Sequence, residues 1–194
     1  MRIHTGRLLL TPANHLLAVD SATLANLLST IGFIGDRLPN SDRGPVSSPH
    51  FLAGNNFLSL LTFAGCSVNL SLEPGPDGSP FTHVRLLGPL PRPILLLGRN
   101  TRPPRCPTCR APNQALPLFP DQNPDGEIPC PTCGSRHPLW AWDWKGKAGF
   151  GRSFVWVEEV FPGEAEPTPA FQAALTSLTA SPWRHFYTQD RYSR

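Results

Sequence analysis

The stretch C-P-T-C-R at residues 106–110 returns almost unchanged as C-P-T-C-G at residues 130–134, with twenty residues between the two cysteine pairs. Each C-x-x-C segment is short enough to set both thiols on one side of a single turn, where nearby backbone N–H groups can hydrogen-bond the sulfurs. Pro107 and Pro131 follow the first cysteine of each pair and stiffen that turn. Gly134, directly after the second pair, permits a positive φ there, whereas Arg110 stands at the matching place after the first.

Together the pairs read C-x2-C-x20-C-x2-C, a spacing suited to one tetrahedral metal ion. Zn2+ takes four thiolates at about 2.3 Å, so Cys106, Cys109, Cys130 and Cys133 are the candidate ligands of a structural zinc. Iron accepts the same ligand set and is the alternative ion. Dithiol redox chemistry fits less well, because a redox C-x-x-C stands alone in a βαβ setting. His137, four residues past Cys133, is expected beside the site rather than in it. Residues 106–133 resemble the zinc-ribbon class, in which two C-P-x-C knuckles at the tips of short hairpins share one metal. That resemblance is local and implies no family for the whole chain; Arg110, in place of a frequent glycine, implies a less regular first knuckle. Four thiolates leave zinc no open position for water or substrate, so the centre is expected to staple the chain rather than catalyse.

The chain has 194 residues, 40% of them hydrophobic, enough for a core and a small satellite. Its 24 prolines and 16 glycines predict many loops and short elements instead of long helices. A net charge of +3 and a pI near 8.8 are too mild to imply nucleic acid by themselves. The short apolar run at residues 8–10 is no signal peptide, since Asn14, His15 and Asp20 interrupt it. Apolar runs such as Ile94–Leu97 are far shorter than a membrane span, so no membrane association is expected. Five cysteines, four paired and Cys66 alone, suit metal binding in a reducing compartment, and hence a cytoplasmic location.

Around the cysteine segment the pattern predicts an α+β fold: a small mixed body of short antiparallel strands and about three helices, with an inserted zinc ribbon. The body takes residues 1–98 and 139–194, and the ribbon residues 99–138. Leu17, Ser21, Leu24, Leu27 and Leu28 recur at helical spacing, which predicts a helix over 14–30 capped by Asn14. Residues 35–50 read as a loop, and 55–63 as a second helix ended by Gly65. The alternation over 66–72 predicts a strand, returning through a proline-glycine turn to a partner strand at 81–87. Residues 94–97 form a third strand, and Gly146, Gly149 and Gly151 a flexible turn before a strand at 153–161. Residues 168–179 read as the last helix, and the aromatic tail beyond is expected to dock on the body.

Charge is uneven along the chain. No acidic residue stands between Asp77 and Asp121, where six arginines do. Arg99, Arg102, Arg105, Arg110, Arg136, Lys145, Lys147 and Arg152 flank the cysteine pairs and are the candidate partner-binding residues. Gathered on one surface they would neutralise phosphates, and Trp140, Trp142 and Trp144 could stack on unpaired bases, as in a nucleic-acid or ribosomal RNA binder. Against this, Glu158, Glu159, Glu164 and Glu166 could pair with the arginines, and the tryptophans are expected in the core. The segment K-G-K-A-G-F-G-R lacks the phosphate-loop order and reads as a glycine hairpin. The low net charge and the acidic block favour a protein partner, and a non-catalytic interaction or adaptor module. An enzyme with a pocket near Cys66 and His83 is the third possibility, although no histidine falls in a catalytic motif.

Overall fold

A computed structural model of the chain describes residues 6–39, 48–64, 70–75, 79–116 and 126–189. In chain order its elements are β1 (Arg7–Pro12), α1 (Ser21–Thr30), β2 (Ile34–Arg37), β3 (His50–Ala53), β4 (Leu61–Phe63), β5 (Val84–Leu87), β6 (Ile94–Leu97), β7 (Glu127–Pro129), β8 (Arg136–Pro138), β9 (Ala148–Gly151), β10 (Phe154–Glu158), β11 (Ala165–Pro167), α2 (Pro169–Thr179) and β12 (Trp183–Thr188). Six strands form an antiparallel sheet in the order β12-β1-β10-β5-β3-β2. Three two-stranded pairs, β4–β11, β6–β9 and β7–β8, complete an α+β architecture. No helix among the described residues is long and apolar enough to cross a membrane.

The run Leu8, Leu9, Leu10 is continuous because β1 lies second from the edge and is buried on both faces. Leu8 and Leu10 join Val84, Leu86, Val155 and Val157 in a core capped by Leu24 and Leu28 of α1 and Phe171 and Leu175 of α2. Leu9 turns to the opposite face, where Phe154, Phe186 and Leu90 meet Ile94 and Leu96 of β6. Each of the fully buried side chains among these, such as Leu8, Leu9, Leu10 and Phe154, contributes about 1.5–3 kcal/mol. The β6–β9 pair therefore lies against the sheet. Its other face, carrying Leu95, Leu97, Ala148 and Phe150, belongs to a separate apolar cluster that includes Cys106 and Cys130.

Local chemistry explains several departures from the expected elements. The first helix begins at Ser21, not at residue 14: the Asp20 carboxylate accepts the Thr23 N–H at 2.9 Å and caps it. Asn14 instead accepts the Leu16 N–H and turns the preceding loop. Over 55–63 the chain makes only a 3-10 turn, Leu58–Leu60, before entering β4, so the described residues hold two α-helices and not about three. Within 35–50, β2 and the start of β3 are ordered strand and not loop. β5 pairs with β10 and β3. The expected partner at 66–72 is not a strand at 70–72, where a single bond from the Thr82 N–H to the Ser71 carbonyl remains; residues 65–69, including Cys66, lie outside the described residues.

The glycines at 146–151 divide. Gly146, at φ +65°, forms the turn, but Gly149 and Gly151 lie inside β9. A Cβ at Gly149 would clash with the Phe186 ring, and one at Gly151 would clash with the Thr11 hydroxyl and crowd the Phe154 ring. Their bare backbone lets β9 approach the large sheet closely. The strand at 154–158, the helix capped by Thr168 and the docking of the tail as β12 follow the sequence pattern.

Candidate metal centre

The two C-P-T-C segments fold into matching knuckles. In the first, the Cys106 N–H donates to the Ala111 carbonyl at 2.9 Å and the Arg110 N–H to the Cys106 carbonyl at 3.0 Å. In the second, Cys130 donates to Ser135 at 2.8 Å and Gly134 to Cys130 at 2.9 Å. Arg110 and Gly134 both adopt the left-handed conformation, at φ +64° and +73°. The first knuckle is thus as regular as the second, contrary to what the arginine implied, and Arg110 bears the strain that glycine avoids. The Arg110 guanidinium meets the Asp143 carboxylate at 2.7 Å, which helps hold it there.

The second knuckle is carried by a hairpin and the first by isolated bridges. β7 and β8 present the second, in register Ile128 with His137. The first is tied at its base, where Arg105 and Asp143 exchange two backbone hydrogen bonds of 2.9 and 3.0 Å. Beneath both lies the cluster of Leu139, Trp142, Trp144, Ala148 and Phe150. Trp142 and Trp144 are core residues whose indole N–H groups reach the His137 and Leu139 carbonyls. Trp140 is partly exposed and stacks on His15 at 4.5 Å.

All four sulfurs lie within 4.8 Å of one another, with Cys106 and Cys133 at 3.8 Å and Cys109 and Cys130 at 3.6 Å. A tetrahedron with metal–sulfur bonds of about 2.3 Å has edges of about 3.8 Å, so the set fits a single metal ion. Cys106 and Cys130 are buried, Cys109 and Cys133 exposed. As bare thiols Cys106, Cys109 and Cys133 divide. At Cys106 burial opposes ionisation but is outweighed by hydrogen bonds from the Ser135 hydroxyl and the Cys109 and Thr108 N–H groups, and the thiol is lowered to about 5. The Ser135 side chain likewise lowers Cys133. Cys109 is pushed up to about 12: the Ala111 N–H favours its thiolate, but burial and the neighbouring sulfurs prevail. Four like charges this close repel strongly, and a bound dication removes the conflict.

His137 is not part of the cysteine cluster. Its Nε2 lies 3.1 Å from the Ser135 hydroxyl and 3.0 Å from the Thr108 hydroxyl, so it bridges one residue of each knuckle and braces the donors around the sulfurs.

Five of the eight flanking cations make contacts that can be described in full. Arg110 and Lys145 share Asp143, whose carboxyl is held below its ordinary value: burial opposes this, but the Lys145 N–H and ammonium and the Arg110 guanidinium prevail. Arg136 meets Glu127 at 3.5 Å, Arg105 donates to the Arg110 carbonyl, and Arg152 donates to the carbonyls of Leu90 and Leu16. Arg99, Arg102 and Lys147 line one hollow. The acidic block at 158–166 does not receive the ribbon cations in any of these contacts; Glu158 pairs with Arg7 at 2.7 Å.

Of the pocket expected near Cys66, only His83 is described. Its Nδ1 faces the Phe81 carbonyl at 2.9 Å and its Nε2 faces His50 at 3.2 Å. The Arg7 and Arg85 guanidiniums both lie over the Trp156 ring, at 5.1 and 4.8 Å from its centroid. Sequence reasoning missed this cluster, since its members come from four strands, and it missed the part of Phe161 and Gln189 in the hollow beside Arg99. Set beside protein-family models, curated proteins and solved structures, the chain matches none.

Proposed function

We propose that the chain is a non-catalytic interaction module whose residues 99–138 form a zinc ribbon on a body of residues 1–98 and 139–194, and whose partner is a protein. The observation that carries this reading is the closed set of four cysteine sulfurs within 4.8 Å. An all-thiolate site suits Zn2+, and with four protein ligands it offers no position for substrate, so its role is to hold two knuckles together. Iron would take the same ligands, and metal analysis separates the two by element and colour.

A protein partner is favoured over a long nucleic-acid strand because at least five of the eight flanking cations are already engaged within the protein, three of them with carboxylates. A phosphate-tracking surface needs its cations unpaired. Trp140 and Leu16, at 38% and 54% exposure, add apolar surface of the kind that protein contacts use. A reducing, cytoplasmic location follows from the thiolate ligands.

Two measurements test the reading. Protein purified without added metal should carry about one zinc per chain, and a metal-free chain that keeps the same fold would sink the ribbon. Affinity isolation with the intact chain should recover a partner that the Cys106→Ser variant loses. A partner retained by that variant would place the interface away from the knuckles and overturn the ribbon's part in binding.

A further inference from the structure

Three cations separated by sequence, Arg99, Arg102 and Lys147, line one hollow of about 460 Å3 together with the ring of Phe161. We propose that this hollow binds a nucleotide, its phosphate held by Arg102 and Lys147 and its planar base set against Phe161. The proposal is independent of the metal and of the protein partner.

The hollow is preorganised by its backbone. The Thr101 hydroxyl donates to the Lys147 carbonyl at 2.8 Å and accepts the Gly98 N–H at 2.9 Å. Asn100 donates to the Tyr187 carbonyl at 3.0 Å and accepts the Gln189 N–H at 2.9 Å, while the Arg99 N–H donates to the Gln189 carbonyl at 2.8 Å. These bonds lock the segment after β6 onto the end of β12 and the turn before β9. Asn100 and Thr101 spend their polar atoms inside the protein, which leaves recognition to the longer cations. A site fixed in advance loses little entropy when a ligand enters.

Charge and shape indicate the ligand class. Among the described residues no carboxylate lines the hollow, and neither the Arg102 guanidinium nor the Lys147 ammonium has a side-chain or backbone partner. The two positive groups of Arg102 and Lys147 on one concavity match a phosphate dianion better than a single carboxylate, and the guanidinium fork binds phosphate oxygens in pairs. The volume falls in the range of small-molecule sites, about 300–1,000 Å3, and exceeds what bare phosphate needs. Phe161 is 50% exposed, and its N–H is held by the Glu164 carboxylate at 2.8 Å, so the ring is presented from a fixed backbone. Stacking on such a ring suits any base.

Titration calorimetry on the full, metal-loaded chain tests this with adenosine 5′-monophosphate, adenosine, inorganic phosphate and a short single-stranded oligonucleotide. The monophosphate should bind, weaken as salt is raised, and weaken by about tenfold or more in each of Arg102→Gln and Lys147→Gln. Phe161→Ala should weaken the monophosphate and leave inorganic phosphate unchanged. Arg102 is exposed, so its variant should keep the wild-type melting midpoint and metal content. Tighter binding of the oligonucleotide than of the monophosphate supports a strand as the source of the phosphate; the reverse order supports a free nucleotide. Failure of both to bind, adenosine binding as tightly as its monophosphate, or an undiminished affinity in Arg102→Gln and Lys147→Gln would overturn the site.

Discussion

Arg110 shows how much a single position can hold. It takes the same left-handed backbone as Gly134, at φ +64° against +73°, and it offers a guanidinium to Asp143 at 2.7 Å. Two opposing effects of similar size meet there: backbone strain of about 1–2 kcal/mol for a non-glycine residue, and an exposed ion pair worth about 0–1 kcal/mol. Arg110→Gly relieves the first and loses the second, so its urea midpoint should stay close to wild type. Arg110→Ala keeps the strain and loses the pair, and should fall below Arg110→Gly by about 1 kcal/mol. Equal midpoints for the two variants would show that the left-handed turn carries no strain. The cysteines were legible at this scale, because thiol spacing alone constrains a tetrahedral site. The matching turn at Arg110 was not legible, since an arginine gives no local sign of positive φ.

At the scale of elements, the contrast between β1 and β9 explains which strands the pattern revealed. The strand at 154–158 and the helix after Thr168 declare themselves by apolar spacing and a capping side chain. β9 does not, because its glycines, which suggest a flexible turn, serve close packing against β12 and β1. Replacing Gly149 with alanine should therefore destabilise the protein by about 1–3 kcal/mol through a clash with Phe186. The same change at Gly163 has open space but a positive φ of +85°, so it tests strain without a clash and should cost less. Chemical denaturation of both variants makes the comparison, and a larger loss at Gly163 would refute the packing role of β9. The helix over 55–63 failed for a related reason: its apolar periodicity was real, but pairing of β4 with β11 draws Leu61–Phe63 into a strand.

At the scale of the whole molecule, the four-cysteine cluster joins two segments twenty residues apart in the chain. Arg105 and Asp143 pair across the base of the first knuckle, and Leu95, Leu97 and Phe150 of β6 and β9 pack beneath it. Removing the metal with a chelator should raise amide exchange at Cys106, Cys130 and Asp143 while Leu9 and Val155 in the large sheet keep their protection. Uniform loss of protection would mean that the centre supports the whole fold. The pH dependence has a definite sign. Cys106 and Cys133 have thiols lowered below the ordinary range of about 8.5, so the stability their thiolates supply is present above that range and is lost as pH falls through the folded values, about 5 for Cys106. Cys109, pushed up to about 12, holds the proton that the metal must displace. Metal occupancy measured by chelator competition should thus fall as pH is lowered from neutrality toward 5. An occupancy indifferent to pH would exclude thiolate ligation.

The sequence by itself determined the four-cysteine cluster, the two knuckles and the helix after Thr168, because each depends on neighbours within a few residues or on matched thiol spacing, whereas of the three tryptophans expected in the core Trp142 and Trp144 are buried and Trp140 is exposed. Only the tertiary structure decided which cations are spent on carboxylates and which converge on the hollow beside Phe161. Charge counted along a chain carries no distance across it. Arg102 and Lys147 line one hollow because β12 and the turn before β9 close on the segment after β6, and that closure is a property of sheet pairing rather than of local pattern.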